Sequence, residues 1–276
     1  MSVVGKGRVT SSPSGINCPG ACWSRYPTDA RVRLVAHPAR GWKLKSWAVA
    51  CQGSRQCVTK LVGPTKVKAT FGRIPPKAVP ANLVLRKSGF SQSIDTAGID
   101  DVSFGMVIRN TSPDEDALHV SATVNLLAGN GSIIQTYPGG IFAIPAATAY
   151  YYGHDSVLDG DQRVAKLEVV LHIGDSAKKS LTLPPAADVH LSQDDSGGMS
   201  VEGELSNPFT KTLASSAGIT GVVFDSAGNV LGGGSTFPLN DVPPGTRIGF
   251  AMDVSGIRTS QAPASAQVSA EPEFTD

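Results

Sequence analysis

The chain has no apolar run approaching the roughly 20 residues that a membrane-spanning helix needs, and helix-period runs longer than about ten residues are missing too. Neither a transmembrane helix nor a helical bundle is expected. No Gly-x-Ser-x-Gly stands on a strand-to-helix turn. Gly232-Gly233-Gly234-Ser235 lacks the Lys and following helix of a phosphate loop, so it reads as a flexible hairpin end. The histidines, His37, His119, His154, His172 and His190, are isolated from one another, which is unlike a metal site, and no loop approaches an EF-hand pattern. Nothing calls for a metal or a cofactor. Cysteine does not recur after Cys57, and Asp29 is the single acid of the first 80 residues.

That scarcity of acid divides the chain by charge. Residues 1–80 hold fourteen Lys and Arg against one acid, whereas residues 81–276 hold ten against twenty-two. The formal net charge of +1 therefore hides a basic head and an acidic body, and a basic head implies an anionic partner. With 41% hydrophobic and 17% charged residues over 276 positions, the chain can form two or three small cores and is too apolar for disorder. Its Gly and Pro are dispersed, and Val, Ile and Thr recur in short alternating runs. All-β domains rich in turns read this way. The opening Met1-Ser2-Val3-Val4-Gly5-Lys6 shows no charged n-region followed by an apolar h-region. Two readings follow: a piece of a longer exported protein with a start Met, or a cytosolic protein.

The cysteines favour the first. Cys18-x3-Cys22 and Cys51-x5-Cys57 are spaced for small loops closed by disulfides, whereas zinc ribbons favour two-residue intervals with His among the ligands. Four Cys allow three pairings, and the local one, Cys18 with Cys22 and Cys51 with Cys57, is the expectation. Such short loops give about 2 kcal/mol per bridge. An oxidising compartment, extracellular or at the cell envelope, follows.

The acidic body contains an internal repeat with a period of about 97 residues. One copy runs Val102 to Asn110, then Val120 to Leu126, the turn Gly129-Asn130-Gly131, and Ile144-Pro145 before Tyr150-Tyr151-Tyr152. The other runs Met199 to Asn207, Ile219 to Phe224, the turn Asp225 to Asn229, and Val242-Pro243-Pro244-Gly245 before Ile248-Gly249-Phe250. Each copy holds about seven short strands, the pattern of a two-sheet antiparallel sandwich. Both copies resemble the FxLyD family of bacterial immunoglobulin-like domains. Val223-Phe224-Asp225-Ser226-Ala227-Gly228 and Pro243-Pro244-Gly245 ahead of Phe250 carry the match in the second copy; the first lacks the aromatic, the Asp and the Gly. The resemblance implies an exported bacterial protein and brings no catalytic residues.

The head resembles a divergent bacterial repeat related to internalin-B-type B repeats. The match covers about residues 4–72 and rests on Gly5 to Cys22, Tyr26, Val32 to Pro38, Gly41-Trp42 to Trp47, Cys51 and Lys66 to Phe71. It departs at Ala48-Val49, where a Ser-Gly usually follows the Trp. The resemblance implies a stalk or adhesion module at a cell surface. The expected organisation is a basic disulfide-bonded repeat over 1–73, a stiff Pro-rich linker over 74–81, and immunoglobulin-like sandwiches over 82–184 and 185–276.

Alternation also places the head's charges. With Val32, Leu34 and Ala36 inward, Arg31 and Arg33 point out; with Trp42 and Leu44 inward, Lys43 and Lys45 point out; with Val67, Ala69 and Phe71 inward, Lys66 and Lys68 point out. These six cations are expected on one sheet face, where they would attract an anionic polysaccharide, a phosphate-rich wall polymer or an acidic protein surface. The rival readings are an ordinary solvated face, or docking on the acidic sandwiches of another copy to build a homo-oligomer with edge-strand pairing. Trp23 is the expected exposed aromatic, a stacking platform, and Trp47 a core residue. Nucleic acid is disfavoured by the disulfides. The acid clusters Asp100-Asp101, Asp114-Glu115-Asp116, Asp159-Gly160-Asp161 and Asp194-Asp195 read as solvated loop tips. Gly153-His154-Asp155-Ser156 gathers triad residue types, but triads are assembled from distant segments, so a hydrolase using His154 and Ser156 is the minor alternative to a binding or spacer protein.

Overall fold

Val32 and Leu34 are 2% and 4% exposed, while Arg31 and Arg33 beside them are open to solvent. This period-two burial, set by side chains that alternate across a strand, recurs throughout the chain. The computed structural model describes all residues except 54–56, 75–79, 95–99, 159–161, 194–197 and 276. Among the described residues the single helical piece is a 3-10 turn at Thr259–Gln261. The protein is all-β, with a small disulfide-bonded domain and antiparallel β-sandwiches. It divides into two units, Met1–Lys77 and Ala78–Asp276; of the expected linker, residues 75–79 lie outside the described residues.

The first unit has strands β1 (Ser2–Val4), β2 (Gly7–Ser12), β3 (Asn17–Cys18), β4 (Arg31–Pro38), β5 (Trp42–Val49), β6 (Cys57–Lys60) and β7 (Val67–Arg73). They form two sheets, β3-β2-β4-β6 and β1-β7-β5, in which β1 runs parallel to β7. Val9, Val32, Leu34, Trp47, Val67, Ala69 and Phe71 make one core together with Cys51 and Cys57. The disulfides join Cys18 to Cys22 and Cys51 to Cys57, with Cα separations of 4.5 and 5.5 Å. So small a core benefits from such staples. At the end of β5, Val49 takes a φ of 78° with its side chain 66% exposed. A β-branched residue is strained in this left-handed region, which glycine enters freely.

The second unit continues with β8 (Leu83–Ile94), β9 (Asp100–Asn110), β10 (Glu115–Leu127), β11 (Ile133–Ile144), β12 (Ala149–Leu158), β13 (Lys166–His172) and β14 (Asp175–Lys178). These form the sheets β12-β9-β8 and β11-β10-β13, with β14 also on β10. Val102, Phe104, Met106 and Ile108 of β9 pack on Val120, Ala122, Val124 and Leu126 of β10 as the core between them. The second sandwich has β15 (Ala186–Gln193), β16 (Met199–Ser206), β17 (Ile219–Asp225), β18 (Val230–Thr236), β19 (Arg247–Asp253) and β20 (Pro263–Ala270) in sheets β15-β16-β19 and β18-β17-β20.

The repeat is visible bond by bond. Asn110 is buried and donates from Nδ2 to the carbonyls of Glu115 and Ile144, while its Oδ1 accepts the N–H of Ser112. Asn207 donates to Lys211 and Val242 and accepts from Phe209 in the same pattern. Each Asn thus ties the end of its strand to two other segments, satisfying buried carbonyls that would otherwise be orphaned. Gly131 and Gly228 occupy equivalent turns with φ of 84° and 76°.

The two sandwiches are stacked sheet on sheet, β12-β9-β8 against β18-β17-β20. Gly89, Gly105 and Gly153 are cross-strand partners and so form a row across the first sheet. Strand β18 crosses that row. A Cβ on Gly89 would lie 2.0 Å from the Val230 carbonyl oxygen, one on Gly105 2.5 Å from that of Gly232, and one on Gly153 1.9 Å from that of Gly221. Sheets ordinarily pack about 10 Å apart with side chains between; here backbone meets backbone. The Gly232-Gly233-Gly234 run is therefore no flexible hairpin end, because all three residues are buried inside β18.

Hydroxyls close the polar side of this contact. Ser103 Oγ donates to the Gly233 carbonyl at 2.6 Å and accepts the Gly233 N–H at 2.8 Å. Ser91 Oγ donates to the Leu231 carbonyl at 2.6 Å. From the other side, Thr220 Oγ1 accepts the Gly153 N–H at 2.6 Å and Ser269 Oγ accepts the Tyr151 N–H at 3.0 Å. Strands β12 and β18 are sheet edges, and their outward backbone groups at Tyr151, Gly153, Leu231 and Gly233 are bonded within the chain.

Two stability tests follow. Gly153→Val should cost about 3 kcal/mol or more, because the clash is with backbone that cannot move aside, whereas Gly140→Ala, with open space around its Cβ, should stay within about 0.5 kcal/mol; urea unfolding monitored by circular dichroism separates them. Val49→Gly should stabilise the first unit by about 1 kcal/mol through relief of the left-handed strain, read as a raised unfolding midpoint under oxidising conditions.

Candidate functional site

The six predicted cations are all exposed, but they do not share a face. Arg31 and Arg33 lie on β4, in the β3-β2-β4-β6 sheet, while Lys43 and Lys45 on β5 and Lys68 on β7 belong to the β1-β7-β5 sheet on the other side of the core. Lys66 is exposed just ahead of β7. This corrects the single-ladder expectation. Alternation fixes whether a side chain points in or out, but sheet membership is set by pairing between distant strands, which local pattern does not carry.

Each outer face is basic in its own way. On the first, Arg31 stands opposite Lys60 and Arg33 opposite Ser12, and Arg8 of β2 stands opposite His37. Like charges directly across a strand pair repel. Asp29 answers one of them, at 2.8 Å from Lys60 Nζ, in an exposed pair of the weakly stabilising kind. On the second face, Lys68 pairs with Ala48 and Lys43 with Gly72, and the bulge after Leu44 places Lys45 alongside Gly72 as well. Arg73 is spent differently, its guanidinium 5.8 Å above the Trp42 ring. Arg8 and Lys60 escape the first reading although the signal is there: Arg8 alternates with buried Val9 as Arg31 does with Val32.

A groove of about 430 Å³ opens at one end of this unit, floored by Val32, Leu34 and Val67 and flanked by Trp23, Arg25 and Val62. Trp23 is 75% exposed, whereas Trp47 is 3% exposed and fills the core. Tyr26 is held at the groove by a 2.6 Å hydrogen bond between its hydroxyl and Ser11 Oγ. An exposed indole beside a guanidinium offers a stacking surface for sugar rings next to a partner for their acidic groups.

In the second unit β12 divides the triad residue types between its two faces, His154 and Ser156 on one and Asp155 on the other. His154 points toward Phe104 and Tyr137, with ring centroids 5.6 and 5.2 Å away, and burial lowers its pKa. Asp155, the next residue on β12, faces the opposite side and bonds Ser255; burial raises its pKa, and the nearby His154 opposes that. Neighbours on a strand point to opposite faces, so Asp155 does not orient His154 as a triad acid would. Asp116 is no solvated loop tip: it is fully buried, and its carboxylate accepts the N–H groups of Ala146, Ser180 and Leu181. Asp100, 4% exposed, accepts from Gln92. Asp159, Asp161, Asp194 and Asp195 lie outside the described residues. Among the described residues no three His, Cys, Asp or Glu gather as metal ligands, and no helix is long and apolar enough to cross a membrane.

No protein-family model matches the chain, and no curated protein matches it. The site therefore rests on its own geometry.

Trp23 gives that geometry an optical signature. Iodide should quench chiefly Trp23 fluorescence, because the anion is drawn to the basic surface and Trp47 is enclosed. Trp23→Phe should remove most of the quenchable emission while leaving stability within about 0.5 kcal/mol; an unchanged quenching curve would contradict the exposed placement.

Proposed function

We propose that the chain is a non-enzymatic, exported bacterial envelope protein whose disulfide-closed basic head binds an anionic polymer and whose stacked sandwiches act as a rigid spacer. The observation that carries this is the head's charge: cations on both outer faces, with Asp29 as the one acid and already engaged by Lys60. No acid within the head is left to neutralise Arg8, Arg31, Arg33, Lys43, Lys45 and Lys68. A polyanion that wraps a small domain can engage both faces at once, where a flat partner would engage one. Polyanionic polysaccharides and phosphate-rich wall polymers fit, as does the resemblance of the head to stalk and adhesion repeats. The disulfides favour an oxidising, extracytoplasmic setting.

A second reading is favoured by the acidic body: heads of one copy could dock on the sandwiches of another. It predicts oligomers that dissociate as salt rises, since exposed charge pairs are screened within about 8 Å at physiological ionic strength.

Two triple variants test the first reading on immobilised dextran sulfate and on isolated wall polymer: Arg8, Arg31 and Arg33 to Glu, and Lys43, Lys45 and Lys68 to Glu. Each should weaken retention roughly tenfold or more, because each exposed cation contributes about 0.5 to 1 kcal/mol, and the combined variant should not be retained at low salt. Unchanged retention of the combined variant would remove the head as the anchor. Sedimentation of the wild-type chain over a salt series decides the second reading.

A further inference from the structure

Stacking the sandwiches creates a cleft of about 590 Å³ at their junction, lined by Phe142 and Leu181 from the first and by Phe209, Phe274, Glu271 and Glu273 from the second. Its walls are mostly aromatic and aliphatic. Phe209 and Phe274 meet edge to face at 5.2 Å, and Phe142, 47% exposed, presents its ring opposite them in the lining. Two carboxylates and no Lys or Arg line the cleft. Pairing acids with apolar rings and leaving out cations is costly for a cleft with only a structural role, since a partly desolvated carboxylate calls for a counter-charge.

The carboxylates are held in place but not used up. Glu271 Oε1 accepts the Phe142 N–H at 2.9 Å and the Tyr150 hydroxyl at 3.2 Å, which fixes its orientation across the junction. Its Oε2 has no hydrogen-bond partner among the described residues. Glu273 Oε1 accepts from Ser216 Oγ at 3.0 Å, leaving its second oxygen open in the same way. Burial raises the Glu271 pKa, and the bonds from Phe142 and Tyr150 partly oppose that rise. A cation in the cleft would meet an anion already oriented and partly stripped of water.

We propose that this junction cleft binds an organic ammonium group, seated against the rings of Phe142, Phe209 and Phe274 and neutralised by Glu271 and Glu273. The chemistry excludes the alternatives. An anion would face two carboxylates, and a neutral apolar ligand would cover the half-buried Glu271 without offering its charge a counter-ion. A metal ion would find the open oxygens of two carboxylates and the hydroxyls of Ser180 and Thr182, fewer than the six to eight oxygens that calcium takes. An ammonium that carries its own apolar shell satisfies both wall types at once, by charge pairing on one side and cation–π contact on the other. It can come free in solution or at the end of a peptide lysine side chain. The site is independent of the polymer-binding head.

The test is a titration of the full chain, followed by the amide resonances of Phe142 and Phe274, with tetramethylammonium, Nα-acetyl-lysine methylamide and the neutral isostere 3,3-dimethylbutan-1-ol. Saturable shifts with tetramethylammonium alone identify a free ammonium as the ligand. Shifts with the lysine derivative as well identify a peptide-borne one, and either result upholds the site. Glu271→Gln retains an acceptor for Phe142 and Tyr150, and with Glu273→Gln it should weaken ammonium binding tenfold or more. Phe142→Ser, at a half-exposed position, should also weaken it several-fold while the fold is preserved. The proposal is overturned if neither ammonium produces saturable shifts in folded protein, if the neutral isostere binds as well, or if the folded double Gln variant binds as wild type does.

Discussion

A strand can lie on the backbone of another sheet only where neither carries a side chain at the crossing, and Ala78–Asp276 meets that condition at the Gly89-Gly105-Gly153 row beneath Gly232-Gly233-Gly234. The approach removes the usual side-chain layer, so its stability rests on dispersion between close backbones and on the hydroxyls of Ser91, Ser103, Thr220 and Ser269, which leave few polar groups unpaired. The junction cleft depends on it too, because Phe142 and Glu271 come from different sandwiches and meet only in this stack. A contact without side chains cannot repack gradually, so the sandwiches are joined as a rigid body and not as beads on a flexible string.

The outer faces of the two sandwiches are built differently from the joined ones. The row equivalent to Gly89-Gly105-Gly153 in the second sandwich is His190-Glu202-Ala251, again cross-strand partners. Side chains and charge fill the place where a strand would have to lie, and Glu204 beside them is engaged by Arg247 at 2.8 Å. On β11 of the first sandwich, Gln135-Thr136-Tyr137 stands where the second has Gly232-Gly233-Gly234, with Tyr137 turned to the core and Thr136 outward. Thr136, Asn125 and Glu168 form a hydrogen-bonded row across that sheet, which suits a surface facing water. One pair of faces is stripped to glycine and the other is built with polar side chains, so the outer faces lack the glycine row that a backbone-to-backbone contact needs.

Much of this fold is legible in the sequence, and the limits have a physical cause. Period two places Val32 and Leu34 inside and Arg31 and Arg33 outside, and short loops imply the disulfide pairs. A spacing of 97 residues aligns Asn110 with Asn207, two buried amides with the same bonds. These are local signals, or signals of similarity at fixed distance. What escapes depends on which strand pairs with which. The cations of β4 belong to a different sheet from those of β5 and β7, and three glycines spread over 64 residues of the chain fall into one row only after β8, β9 and β12 are in register. By composition the Gly232-Gly233-Gly234 run looks like flexible chain, since glycine weakens a strand that stands alone. Its purpose appears only with the opposing backbone in place. Asp116 is misread for a related reason: its neighbours Asp114 and Glu115 suggest solvent, but the N–H groups it binds come from 30 and 64 residues away.

The division of charge gains a sharper meaning from the stack. Because both free faces of the paired sandwiches carry polar and acidic side chains, among them Glu168, Glu202 and Glu204, the second unit would repel the polyanions proposed as partners of the first. The acids of residues 81–276 outnumber the cations by twelve, a charge that would disfavour the spreading of a head-bound polyanion onto the body. At physiological ionic strength such repulsion acts only over about 8 Å, so it leaves approach from solution to the head largely undisturbed and opposes contact with the body at close range. On the proposed function, attraction and repulsion in one chain would confine a polymer to the domain with cations on both faces and hold it off the acidic sandwiches.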